Sequence, residues 1–493
     1  MWGSVSNTKH LVLTFGTTIF AFSTFIFISL RSIDMTKNDW YLAYQLVDLS
    51  RATLKGLKVL PYAGFYNPAS GTHDLFGDQT YSMGMLIFSP DSIFFPLFST
   101  RQAITFHVLV TLLFVCGLLH FQLRNFKLSQ FSMLFLLLNI AFAVPVIARL
   151  SEGHLQLLGY FLIPSFILLV KSFDRSLGWF LKITLFLTYV LSLGSTHVFF
   201  QMSILLFFVG IFHIKALIRL LLAPLFALML TAFQTLPSLF APHFVMERQI
   251  GHGYGYLFNK NIREIDSVYK FDSVGDIFST IIVHFIEIIN HLVSAVLRND
   301  FAIQKEGWEW TLYFPLTNIL LLILVLFVRR NVSTGIKKEF GYLIISGVLS
   351  VSMIYHFIWL LIPFQAIDRV PFRMMLYPFF AILIYLAFHL DEVMTKFKSE
   401  KLRNFLKISI LAICAYSLMR ASFDWFDRLS IFSAPPPTTN SSMLPRFEVI
   451  TTASNPTYEM FLSLGFLVTF LSWLALMYFV FRIKKLAEIK LLS

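Results

Sequence analysis

Long apolar runs separated by short charged gaps limit this chain's fold more than any other feature. Runs of roughly 17–25 residues, enough to cross a bilayer as a helix, lie near 11–30, 103–121, 131–147, 155–171, 178–194, 197–214, 216–234, 311–328, 340–362, 371–389, 404–420 and 460–481. Hydrocarbon offers backbone N–H and C=O groups no water, so such runs must close their hydrogen bonds within themselves as helices. Composition points the same way. Of 493 residues, 57% are hydrophobic and only 13% charged, with a mean hydropathy of +0.73, which excludes a soluble globular enzyme. The expected fold class is an all-α polytopic membrane protein with about twelve transmembrane helices. The first run is too long for a signal-peptide core and lacks a small-x-small cleavage site, so it reads as a retained span.

Charge supplies the orientation. Arg124 and Lys127, Lys171 and Arg175, Lys215 and Arg219, then Arg329, Arg330, Lys337 and Lys338 fall in alternate gaps. Lys396, Lys398, Lys401 and Arg403, and finally Arg482, Lys484 and Lys485, continue the series. Basic residues mark cytoplasmic loops, so both termini are expected in the cytoplasm. The net charge of +12 is then a topological signal, with membrane lipids and no nucleic acid as partners. Cys116 and Cys414 both lie in apolar runs and read as packing residues.

The opposite side receives two long loops, 31–102 and 235–310, and a Pro-rich loop at 421–459. It also receives the turns Glu152-Gly153-His154, Ser195-Thr196-His197 and Asp368-Arg369. Within the first loop, 40–54 has the spacing of an amphipathic interfacial helix, with Leu42, Leu46, Val47 and Leu49 as its apolar residues. In the second, the weakly charged stretch 277–297 suits an interfacial or re-entrant segment.

Ionisable groups beside a membrane need a partner, a ligand or an aqueous cavity. Glu152 and His154 flank a glycine whose backbone freedom could bring both to one centre, as donors to Mg²⁺ or Mn²⁺. The competing reading is a plain polar turn between helices. Asp34 and Asp39 follow the first span, where a carboxylate can act as a general base or a ligand, or be an ordinary solvated loop residue. Arg149, Asp78 and His197 are candidate substrate-binding residues on the same side. Arg369 and Arg373 break the positive-inside pattern, and the guanidinium fork binds phosphate oxygens in pairs. Their alternative is a surface Asp368–Arg369 pair with a snorkelling Arg373. Walker, GxGxxG, GxSxG and HExxH motifs are absent from the sequence.

Asp39 after the first span, Gly56…Pro61 running into Phe88-Ser89-Pro90, and Glu152-Gly153-His154 trailed by Pro164 resemble the GT-C superfamily of polytopic glycosyltransferases. Ser195-Thr196-His197 and Arg369-Val370-Pro371-Phe372-Arg373 complete the resemblance, which is closest to the bacterial YfhO-type branch and covers most of 30–380. It implies a common module of about seven helices over 1–234, an outer loop over 235–310, and a variable module of about five helices over 311–493. It also implies transfer of a sugar from a polyprenyl-phosphate donor to a lipid, glycan or protein acceptor, outside a bacterial plasma membrane. Asp39 would be the base, with Asp34 as its substitute because the first loop lacks an adjacent Asp-Glu or Asp-x-Asp. Glu152 and His154 would hold substrate or a Mg or Mn ion, and Arg369 and Arg373 the carrier phosphate. Asp39 is then expected on the order of 5–10 Å from Glu152 or His154.

Two other classes compete. A transporter or flippase for a lipid-linked glycan predicts charges deep within several helices, where Lys182 and Glu287 are among the few candidates. An O-antigen polymerase or ligase shares the outer arginines and the count of about twelve spans.

Overall fold

The computed structural model describes residues 5–33, 40–55, 66–67, 72–73, 89–123, 126, 128–174, 176–240, 293, 296–297, 311–328, 371–432 and 456–492. These residues are helical apart from connecting turns and a two-residue antiparallel ladder, Tyr66–Asn67 against Thr72–His73, in the first long loop. In chain order the helices are α1 (Val5–Ser32), α2 (Trp40–Lys55), α3 (Thr100–Leu123), α4 (Gln130–Ala141), α5 (Val144–Ser151), α6 (Ile163–Lys171) and α7 (Leu177–Ser192). They continue with α8 (Thr196–Phe212), α9 (Leu217–Leu230), α10 (Ala232–Phe240), α11 (Leu316–Val328), α12 (Leu376–Thr395), α13 (Glu400–Phe432) and α14 (Pro456–Leu492). Short 3₁₀ segments occupy Pro90–Leu97 and Leu155–Leu162. The amphipathic stretch of the first loop is α2, and every apolar run corresponds to helix except 340–362, which lies outside the described residues. Most of 277–297 lies outside them as well.

Local chemistry sets the boundaries. Ser129 and Ser176 accept the backbone N–H groups of Ser132 and Trp179, at 3.2 and 2.9 Å, and so cap α4 and α7. The apolar run 131–147 is not one straight helix. It breaks at Phe142–Ala143, and Pro145 sits in the first turn of α5, where a missing N–H costs nothing. Pro164 opens α6 in the same way. The C-terminal carbonyls of α1 are closed by Arg101, whose guanidinium donates to Arg31 at 2.8 Å and to Ile33 at 3.0 Å.

Thr100–Leu123, Gln130–Ser151, Arg373–Thr395, Glu400–Asp427 and Glu459–Arg482 are long and apolar enough to cross a membrane. Thr18–Arg31, Leu155–Lys171, Leu177–Ser192, Thr196–Ile211 and Leu316–Val328 are apolar but shorter. The surface agrees with a membrane protein. Leu316, Leu320, Ile323 and Phe327 expose one face of α11, and Phe405, Ile408 and Tyr416 do so on α13. Continuous apolar faces of this kind suit lipid and would be a liability in water.

Gln130–Ser151 is the central member, packed against α1, α12 and α13. Phe142 sets its ring edge-on to Phe22 and Phe25, with centroids 5.6 and 5.4 Å apart. Buried Asn139 accepts from Asn318 Nδ2 at 2.6 Å and donates to the Phe135 carbonyl at 2.8 Å, with the Cys414 thiol beside both amides. This cluster ties α4, α11 and α13 together, and the expected packing role of Cys414 holds. The opposite case is α14. Its Gly465 lies against α10 so closely that a Cβ there would fall 2.6 Å from the Ala232 carbonyl oxygen.

The two ends of the bundle differ in chemistry. At one, Lys171 lies over Phe388 and Lys407 over Phe131, while Ser129 Oγ donates to Asp391 at 2.6 Å. The other end carries Arg101 and the two turns built below. Lys171, one of the residues the charge pattern assigns to the cytoplasmic loops, thus stands at the end opposite the two turns.

Candidate functional site

Two helix ends at the turn end are closed identically. At the end of α5, Gly153 takes a left-handed φ of 96°; its N–H reaches Leu150 O at 3.0 Å and the His154 N–H reaches Arg149 O at 3.2 Å. At the end of α7, Gly194 has φ 68°, its N–H reaches Leu191 O at 2.9 Å, and the Ser195 N–H reaches Val190 O at 3.3 Å. Both are Schellman caps, in which glycine occupies the left-handed position and its own N–H and that of the next residue satisfy orphan carbonyls. Gly153 is therefore explained by helix closure. The closure also fixes its neighbours, leaving Glu152 half-buried and His154 buried.

A single hydroxyl joins the two turns. Ser195 Oγ donates to the Gln156 carbonyl at 2.6 Å and accepts the Gly159 N–H at 3.1 Å. A Cβ on Gly159 would lie 2.5 Å from both Cβ and Oγ of Ser195, so the segment Leu155–Leu162 and the start of α8 meet only because residue 159 is glycine. Next along, the fully buried Tyr160 carries the Arg149 guanidinium 5.8 Å from its ring centroid, and Arg149 also donates to the Pro145 carbonyl. Gln201 Nε2 lies 3.5 Å from the Tyr160 hydroxyl, one helical turn beyond His197.

The first loop enters here too. Trp40, fully buried at the start of α2, donates its indole N–H to the Ser151 carbonyl at 2.6 Å, directly before Glu152. Of the residues singled out in the sequence, Arg149, Glu152 and His154 thus share one region with the turn that leads into His197. Arg373 lies in the 3₁₀ turn Pro371–Met375 that starts α12, where Tyr377 packs edge-on against Phe166 of α6 at 6.2 Å. It is 3% exposed, which does not suit a snorkelling side chain whose head stays in water. Asp34, Asp39, Asp78 and Arg369 lie outside the described residues.

Metal ligation finds two donors in this region, Glu152 and His154. Among the described residues no group of three or more His, Cys, Asp or Glu side chains converges. Asp39, the further ligand offered by the sequence, lies outside the described residues, and no step below runs through a metal.

Sequence reasoning missed a second buried polar cluster. Ser89 Oγ donates to Asp91 Oδ1, and His107 Nδ1 donates to Asp91 Oδ2 at 2.9 Å, docking the segment Pro90–Leu97 onto α3. Burial pushes the Asp91 carboxyl upward, but His107 and the surrounding hydrogen bonds outweigh it and hold the group below its ordinary range. Nearby, Thr100 Oγ1 donates to Asp48 at 2.7 Å and Arg51 Nη1 to Asp48 at 2.8 Å, fastening α2 to the start of α3. The available signal was His107 itself, an imidazole inside an apolar run, which requires a partner.

Compared with known proteins, the chain matches no family model, and no curated protein or solved structure matches it significantly.

Proposed function

We propose that the chain is a membrane glycosyltransferase of the GT-C type, transferring a sugar from a polyprenyl-phosphate donor to a lipid, glycan or protein acceptor. In this reading the turn end faces outward from a bacterial plasma membrane, both termini are cytoplasmic, and the chain crosses about twelve times. The observation that carries it is the Trp40–Ser151 hydrogen bond. It fastens the start of α2, the helix of the first long loop, to the last carbonyl before the Glu152-Gly153-His154 turn. That supports a site shared by a base from the first loop and the polar groups of two helix ends.

The chemistry follows from these residue types. Asp39, or Asp34 in its place, takes the proton from the acceptor hydroxyl as its oxygen attacks the anomeric carbon. The bond from that carbon to the carrier phosphate breaks, and the departing phosphate keeps the electron pair. Arg369 and Arg373 offset its charge through paired N–H donors. Glu152, His154, His197, Asp78 and Arg149 bind and orient the sugar.

The test is transfer in proteoliposomes supplied with a panel of polyprenyl-phosphate sugars. The unaltered protein should transfer from at least one donor, and Asp39→Asn should lose about 10²–10⁴-fold in rate while still binding donor. A matching loss in Asp34→Asn alone would move the base. Passage of donor across the bilayer without transfer, or no transfer from any donor, would overturn the reading.

A further inference from the structure

A second site of different chemistry lies at the basic end of the bundle, remote from the two glycine turns. After the 3₁₀ turn Ile214–Ala216, α9 presents Arg219, Leu222, Leu225 and Met229 at helical spacing on one face. With Phe180 of α7 and Phe479 of α14 they border a cleft of about 490 Å³. Phe180, Phe226 and Phe479 pack against a small buried cluster of Leu181, Leu230 and Leu476, and Phe180 stacks on Phe226 with centroids 6.3 Å apart. Among the described residues, every side chain bordering the cleft is apolar except Arg219, which is exposed at one end of it.

Dimensions and charge select the occupant. From Arg219 to Met229 the helix rises about 15 Å, half of the ~30 Å hydrocarbon thickness and thus the depth of one leaflet. The apolar lining continues over that whole rise. In a bilayer whose headgroups meet the basic end, the cation is level with the lipid phosphates, and its planar fork matches phosphate oxygens. A zwitterionic headgroup already neutralises its phosphate with its own amine, so an arginine favours a net-anionic one. We propose that this cleft binds one anionic glycerophospholipid of the basic-side leaflet, its phosphate on Arg219 and an acyl chain against Leu222, Leu225 and Met229. The lipid adds contact between α14 and the pair α7 and α9.

Native mass spectrometry of the full-length protein, released from micelles holding equal phosphatidylglycerol and phosphatidylcholine, tests this directly. The unaltered protein should retain one phosphatidylglycerol in preference to phosphatidylcholine. Arg219→Gln should reduce that retention roughly fivefold without changing retained phosphatidylcholine, and Arg219→Lys should restore part of it. Leu225→Trp fills the cleft and should lower retention of both lipids. Added phosphatidylglycerol should also raise the unfolding temperature of the unaltered protein more than that of Arg219→Gln. Equal retention of the two lipids, or phosphatidylglycerol retention indifferent to Arg219→Gln, overturns the proposal.

Discussion

Gln130–Ser151 and Glu459–Arg482 are both strongly apolar, yet over an 18-residue apolar stretch of each, 89% of the first is buried inside the protein and only 17% of the second. Hydropathy reports that a helix belongs among apolar surroundings; it does not say whether those are protein or lipid. What separates the two is where small and polar groups sit. The central helix buries Asn139, Pro145, Arg149 and Ser151, each engaged in a hydrogen bond or helix start. The peripheral α14 turns Met460, Leu464, Leu467, Phe470 and Leu474 outward, and touches the bundle closely at Gly465. Between helices in lipid no hydrophobic driving force remains, so packing and interhelical hydrogen bonds decide which helix becomes central.

The same substitution in the two helices should break this comparison most severely. Phe142→Ala removes a ring wedged between Phe22 and Phe25 and should cost about 3–5 kcal/mol. Phe470→Ala removes an exposed ring and should stay within about 0.5 kcal/mol. Unfolding curves of both variants in one detergent measure this, and equal losses would erase the distinction. A smaller effect belongs to the polar cluster. Asn318→Leu takes away the donor to Asn139 and should cost about 0.6–1.7 kcal/mol. A double-mutant cycle with Asn139→Leu should return a coupling energy, whereas strict additivity would mean that the two amides act independently.

The smallest effect concerns how the first loop is held to the buried face of α3. Because the Asp91 carboxyl is held below its ordinary range, its contribution is present above its unfolded pKa of about 3.9. It is lost as pH falls through the lower folded value. The unaltered protein should therefore lose protection from hydrogen exchange over 89–98 only on the acid side of about pH 4. Asp91→Asn should be less protected at neutral pH and should lack that acid step. An identical acid step in both would assign it to another carboxylate.

Much of the helical framework could be read from the chain, because run length and the period of α2 express physics local to the sequence. The break at Phe142–Ala143 was less legible: Pro145 signals it, but a proline in a first helical turn reads equally as interior to a longer run. At the site, Glu152-Gly153-His154 was recognisable as a helix end with polar neighbours. Its partners were not, since Trp40 and Ser195 reach it through backbone carbonyls, and a carbonyl carries no residue identity. Asp91 and His107 stand sixteen positions apart across a Pro-flanked turn, a separation for which neither period 3.6 nor period 2 gives a sign.

The double use of the Ser195 hydroxyl has a mechanical consequence. Donating to Gln156 and accepting from Gly159, it pins two points of one 3₁₀ segment to the first residue before α8, while the bare Cα of Gly159 removes the clearance that sliding would need. Rotation of α8 about its own axis would have to break both bonds at once. Any opening stroke that admits a bulky ligand must therefore carry this segment and α8 as a single lever, with its hinge elsewhere in the chain.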